Sequence, residues 1–150
     1  MNRSHKEITL HIMGEGKRDR GTYVLVLKTD GTQMAVGGLG MREFKRGFYL
    51  YIGSGMNSLS KRVSRHLKRD KKIHWHIDYL TTTTEFEIYP HLFLIRGKRK
   101  EEEEIASGLM EKFNDWIIGF GSSDSSLESH LLFTPNFDPK SLELYLKDII

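Results

Sequence analysis

The chain contains no cysteine, which removes disulfides, thiolate zinc sites and cysteine nucleophiles together. A bound metal must therefore rest on carboxylates, imidazoles and water, which makes oxygen-loving divalent ions the default. Long apolar runs are also missing: none approaches the roughly 20 residues needed to span a bilayer, and no membrane partner is expected. The opening segment, Met1 to Glu7, lacks the apolar stretch of a signal peptide, so a cytoplasmic location is expected. Internal repeats and long Pro/Gly/Ser linkers are absent too, so one domain over 1–150 is expected. Its apolar share of 38% is enough for a hydrophobic core. Sequence leaves the oligomeric state open.

Charge is present but sorted by segment. The net value is only +3, yet Lys61, Arg62, Arg65, Lys68, Arg69, Lys71 and Lys72 crowd a short stretch against the single Asp70. Four consecutive glutamates, Glu101 to Glu104, form a separate acidic block. A basic helix of this kind is the electrostatic footprint of phosphate binding, and Lys61, Arg65, Lys68, Arg69 and Lys72 are its candidate nucleic-acid contacts; a merely solvated face is the plainer alternative.

The periodicities predict a mixed α/β (α+β) layer. A loose arm or edge strand occupies 1–20. Tyr23 to Leu27, an Asp-Gly turn at Thr29-Asp30-Gly31-Thr32, and Gln33 to Val36 read as a β-hairpin. A Gly-punctuated loop leads to the strand Phe48 to Ile52. In the basic helix Leu59, Val63 and Leu67 recur every four residues as the buried stripe, while Arg62 and His66 run beside it, bordering the core. Residues 73–80 read as a short helix. Phe86 to Tyr89 and Leu92 to Ile95 read as two strands or one interrupted at Pro90. A second helix is predicted from about Lys100 to Trp116, its phase turning Glu102 toward the core with Ala106, Leu109 and Phe113. A strand at His130 to Phe133 and a C-terminal helix over 139–150 complete the chain.

Several polar residues are left near that core. Tyr23 and Tyr51 each stand close to a glycine on a strand, and taken singly they are strand tyrosines with the hydroxyl at the sheet edge. His74, His76 and Asp78, with His91 or His130, form a possible metal constellation. On a helix the two histidines diverge by about 200° and cannot ligate together, so the plainer reading is a structural plug. The small-residue loop Gly121-Ser122-Ser123-Asp124 is either a phosphate cradle built of backbone amides or only a turn.

Together, Gly21-Thr22-Tyr23, Tyr51-Ile52-Gly53-Ser54, Asn57, the Arg62-x-x-x-His66 spacing and a glutamate on a later helix resemble the GIY-YIG nuclease superfamily. More closely, Gly47-x-Tyr49-x-Tyr51-Ile52-Gly53-Ser54, Arg65-His66, the run His74 to Leu80, Gly119 to Asp124 and Ser129-His130-Leu131 resemble its DUF123 branch. The resemblance covers a core of about 21–133. The first triplet departs by one residue, Thr22. The gap of 28 positions between Tyr23 and Tyr51 is longer than in the nucleases, an excess assigned to a Gly37–Gly47 excursion. Cysteines found in the branch are here Ser125 and Ser126, and the nucleases' later asparagine has no secure counterpart.

What the resemblance implies is a small sandwich with a central, mainly antiparallel three-stranded sheet flanked by helices, with extra strands and a C-terminal helix. Its activity would be metal-dependent hydrolysis of phosphodiester bonds in nucleic acid, DNA rather than RNA. Tyr23 would position or deprotonate the attacking water, with Tyr51 in its network and His66 an alternative base. Arg62 would grip the phosphate. Glu102, with Glu104 the next register, would hold one Mg²⁺ or Mn²⁺; His74, His76, Asp78, Ser123, Asp124 and His130 are possible accessories. The competing classes are a non-catalytic nucleic-acid-binding module on the same fold and a zinc hydrolase built on His74, His76 and Asp78.

Overall fold

A computed structural model describes residues 7–122 and 125–150; Ser123 and Asp124 lie outside the described residues. In chain order the elements are β1 (Thr9–Met13), β2 (Gly21–Thr29), β3 (Thr32–Ala35), β4 (Met41–Phe44), β5 (Gly47–Gly55), α1 (Leu59–Leu67), α2 (His76–Thr81), β6 (Glu87–Arg96), α3 (Glu102–Met110), β7 (Asp115–Trp116), β8 (Leu131–Thr134) and α4 (Pro139–Ile149). Among them is a mixed sheet of six strands ordered β1-β6-β2-β5-β8-β7, antiparallel except for the β1–β6 pair. The α+β class is as expected, but the sheet has six strands rather than three. The 1–20 arm contributes one of them, β1, at an edge.

Helices cover both faces of the sheet, which explains why its central strands read as unbroken apolar runs. Tyr23, Leu25, Leu27, Tyr49 and Tyr51 point one way, into a core closed by Leu59 and Val63 of α1 and Ile77 and Leu80 of α2. Val24, Val26, Leu50 and Ile52 alternate to the other face, where Ile105, Ala106 and Leu109 of α3 and Leu142 and Leu146 of α4 pack.

Three expectations are corrected and one alternative is selected. β3 pairs with β4 in a separate two-stranded sheet and not with β2, because both edges of β2 are already taken by β5 and β6. The excursion between the two tyrosines is thus this whole β3–β4 unit. Around Pro90 the second of the two readings holds, one strand with an interruption: β6 shifts register there, opposite Leu25 and Leu27. α3 stops at Met110, although its apolar phase runs on to Phe113, because Asp115 and Trp116 pair with Phe133 and Leu132. Finally, α2 begins only at His76, leaving His74 in the preceding loop.

α1 carries the element that matters most for the site. Ser58 caps it by accepting the Lys61 amide, and its buried residues are Leu59, Val63 and His66. Leu67, expected on that stripe, is only half-buried, and His66 takes the deeper position. At the other end the Lys71 ammonium donates to the carbonyls of Arg65 and His66, satisfying acceptors in the last turn.

Candidate functional site

Register brings the two sequence triplets together. Across the β2–β5 pair Gly21 faces Gly55, Tyr23 faces Gly53 and Leu25 faces Tyr51, so each tyrosine lies diagonal to the other on one face, ring centres 6.2 Å apart. His66 comes up from α1 behind Tyr23, with its Nε2 hydrogen-bonded to the Tyr23 hydroxyl at 2.5 Å. Its Nδ1 is buried without a partner among the described residues.

The electrostatics of this pair follow from burial. Burial pushes the Tyr23 hydroxyl well above its ordinary range, neighbouring Tyr51 adds to the rise, and Arg62 opposes it. Tyr51 is raised for the same first reason. Burial, reinforced by Lys71 and opposed by Asp78, lowers His66 to about 3. At neutral pH both hydroxyls therefore keep their protons and His66 is uncharged.

Beyond Tyr23 the strand ends open into a cleft of about 600 Å³. Tyr23, Tyr51, Ser54, Arg62, Trp75, Lys100 and Glu102 are among its lining residues. Arg62 is half-buried: its Nη1 donates to the Ser54 carbonyl (3.1 Å), and its guanidinium lies 4.5 Å from the Trp75 ring centre. That anchors the planar group at the cleft wall. Glu102 arrives from α3, which packs on the opposite face of the sheet from α1, and both helices give side chains to the cleft.

The four glutamates are no longer equivalent. Glu104 is exposed and paired with Arg99 at 2.6 Å, and Glu103 accepts the Ser126 amide at 3.0 Å. Glu102 is held differently: its Oε2 lies 3.0 Å from Nδ1 of the fully buried His130. Burial pushes the Glu102 carboxyl up, but hydrogen bonds from His130 and Ser54, with the nearby charge of Lys100, outweigh it and hold it below its ordinary value. It is an oriented carboxylate at the cleft wall, with a histidine behind it.

The remaining sequence candidates divide. Asp78 is fully buried and takes both arms of Arg65 (2.9 and 2.8 Å) together with the amides of His74 and Trp75 (2.8 and 2.9 Å). With its lone pairs so committed, Asp78 is scaffold, and the plug outweighs the His74–His76–Asp78 metal constellation. His76 and His74 do line the cleft; the Gly121 amide donates to His76 Nδ1 (2.9 Å), and burial lowers the pKa of that ring. Among the described residues no three such side chains are grouped to hold a metal by themselves. In the basic stretch, Arg65 is turned to Asp78, and Arg69 donates to the carbonyls of Thr83 and Phe86 (2.8 and 2.9 Å), so the fold itself uses both. Lys61, Lys68 and Lys72 are exposed.

Sequence reasoning missed Ser54, Trp75 and Lys100 as parts of one site. Ser54 was visible as the residue after the second triplet and Lys100 as the one basic residue abutting the acidic block. Nothing in the sequence linked His130 to Glu102.

The architecture is that of a small α+β domain in which a polar cleft gathers side chains from β2 and β5 and from a helix on each sheet face. The chain belongs to the family described as Domain of unknown function DUF123, whose family model matches residues 22–147. That span reaches past the expected core and takes in nearly all of α4. No curated protein and no solved structure matches the chain. No helix among the described residues is long and apolar enough to cross a membrane.

Proposed function

We propose that this chain is a metal-dependent, GIY-YIG-type endonuclease-like protein that hydrolyses phosphodiester bonds of nucleic acid, DNA rather than RNA. The observation that carries the proposal is the convergence of Tyr23, Tyr51, Arg62 and Glu102 on one cleft, from positions scattered over 80 residues of sequence. Cleavage needs a positioned nucleophile, charge neutralisation at phosphorus and a stabilised leaving oxygen.

Tyr23 serves the first need as a neutral hydroxyl. Its oxygen shares one hydrogen bond with His66 Nε2 and keeps a lone pair to accept another from the attacking water. His66 lies behind Tyr23 and therefore acts through it. Arg62 meets the second need, since one arm is fixed on Ser54 and the other N–H groups remain for phosphate oxygens. Lys61, Lys68 and Lys72 add non-specific attraction to the backbone.

The donor set fits one hard cation. Glu102 offers a single ionised, oriented carboxylate, and the cleft is roomy enough for an ion that keeps several of its own waters. Glu102 would hold Mg²⁺ or Mn²⁺ there. Such an ion, when bound, supplies charge neutralisation on the phosphate and at the leaving oxygen.

One observation favours a second reading, a nucleic-acid binder that does not cut. Both tyrosines are pushed up and His66 is held down, so none of these three is a ready base. Incubation of labelled duplex and branched DNA with Mn²⁺ separates the two. Cleavage by the unaltered chain, lost in Arg62→Ala and Glu102→Ala while binding persists, supports the nuclease; binding without cutting over the whole panel supports the binder.

A further inference from the structure

Both ring nitrogens of buried His130 are engaged. Nδ1 faces two acceptors, Glu102 Oε2 at 3.0 Å and the Ile52 carbonyl at 3.3 Å, so it must carry a hydrogen. In the neutral ring Nε2 then presents a lone pair, and the Ser125 hydroxyl lies 2.9 Å from it. Ser125 and Glu102 both line the cleft, whereas His130 sits between them out of contact with solvent. Hydroxyl, imidazole and carboxylate thus stand in the order of a nucleophile, its base and the group that fixes the base's tautomer.

We propose that Ser125 is a nucleophile activated by His130 and Glu102, which gives the cleft a metal-independent acyl-transfer activity separate from phosphodiester hydrolysis. Two further contacts bear on Ser125. The Leu127 amide donates to its oxygen at 3.1 Å and steadies the loop, and the Glu103 carboxylate also reaches the hydroxyl, competing with His130 for the one proton. The substrate class follows from the rest of the wall. It is polar, with Arg62 and Lys100 set beside Glu103 and Glu104, which suits a small polar carboxylic ester.

In the step itself Ser125 Oγ forms a bond to the ester carbonyl carbon and its proton passes to His130 Nε2. The carbon–alkoxide bond then breaks and the alcohol leaves with that proton. Water repeats the sequence on the acyl-serine, releasing the carboxylic acid and restoring the hydroxyl.

The test uses the full chain in excess EDTA, which keeps metal-dependent cleavage out of the readout. A fluorophosphonate probe, which displaces fluoride when a serine attacks its phosphorus, is followed by intact mass and peptide mapping. One label on Ser125 is expected, absent in Ser125→Ala and formed at least about tenfold more slowly in Glu102→Gln. Because the chain has no cysteine, Ser125→Cys supplies a second measurement. Its single thiol should be alkylated by iodoacetamide at neutral pH at least about tenfold faster than that of Ser64→Cys, on the exposed side of α1. Absence of label, label that persists in Ser125→Ala, or equal alkylation of the two thiols overturns the proposal.

Discussion

Tyr23 and Gly53 face each other across the β2–β5 pair so closely that a Cβ on Gly53 would fall 2.2 Å from the Tyr23 hydroxyl oxygen. The glycine of the second triplet is therefore the space in which the tyrosine of the first one lies. Gly53→Ala is expected to force the ring out of line with His66, costing about 1–3 kcal/mol in urea unfolding as overpacking does and abolishing cleavage. Gly38→Ala is the control, since a Cβ there meets nothing within 4 Å. Equal stability of the two variants would contradict the packing.

The Tyr23–His66 pair also sets a pH dependence. His66 titrates at about 3 in the folded protein, against 6.5 for a free imidazole. Between those values the unfolded chain binds a proton that the folded one does not, so stability falls as pH falls. The loss from this group should reach about 2 kcal/mol between about pH 7 and pH 5. His76 and His91 are lowered as well, by burial first, and act in the same direction. Chemical denaturation of the unaltered chain and of His66→Gln at both pH values isolates the contribution: the variant should lose less on acidification, and parallel losses would refute it.

Arg65 and Asp78 provide a test of which basic residues the fold itself requires. Removing Asp78 strands the guanidinium of Arg65 and the amides of His74 and Trp75, so Asp78→Ala is expected to cost about 2–4 kcal/mol. Arg65→Ala should destabilise through the same contacts. Lys61→Ala and Lys72→Ala should leave the melting temperature almost unchanged while flattening the salt dependence of DNA binding by about one charge each. If Arg65→Ala instead unfolded at the unaltered temperature, the plug would not be structural.

The sequence made the central strands and helices legible because their apolar residues must meet helices on both faces. Tyr23 to Leu27 and Phe48 to Ile52 announce β2 and β5 on that ground, and Leu59 and Val63 announce α1. Elements defined by distant pairing were not legible: β3 resembles the partner of β2 until β5 and β6 occupy both of its edges, and Phe113 continues the phase of α3 until Trp116 finds β8. At the site the tyrosines, Arg62 and Glu102 carried signals in spacing and helical phase. The Glu102–His130–Ser125 line carried none, because it exists only once a loop from beyond β7 folds back over the end of β5.

The most direct measurement is the rate of nicking of supercoiled plasmid in Mn²⁺ by the unaltered chain, Arg62→Ala and Glu102→Gln, with each protein's binding to the same DNA measured beside it. Nicking that falls by about 10²–10³ in both variants while binding stays within a few-fold is expected, the size of effect seen when a group acting in the transition state is removed. Nicking at the same rate in all three, or none by any of them on DNA that all three bind, would contradict a hydrolytic role for this cleft.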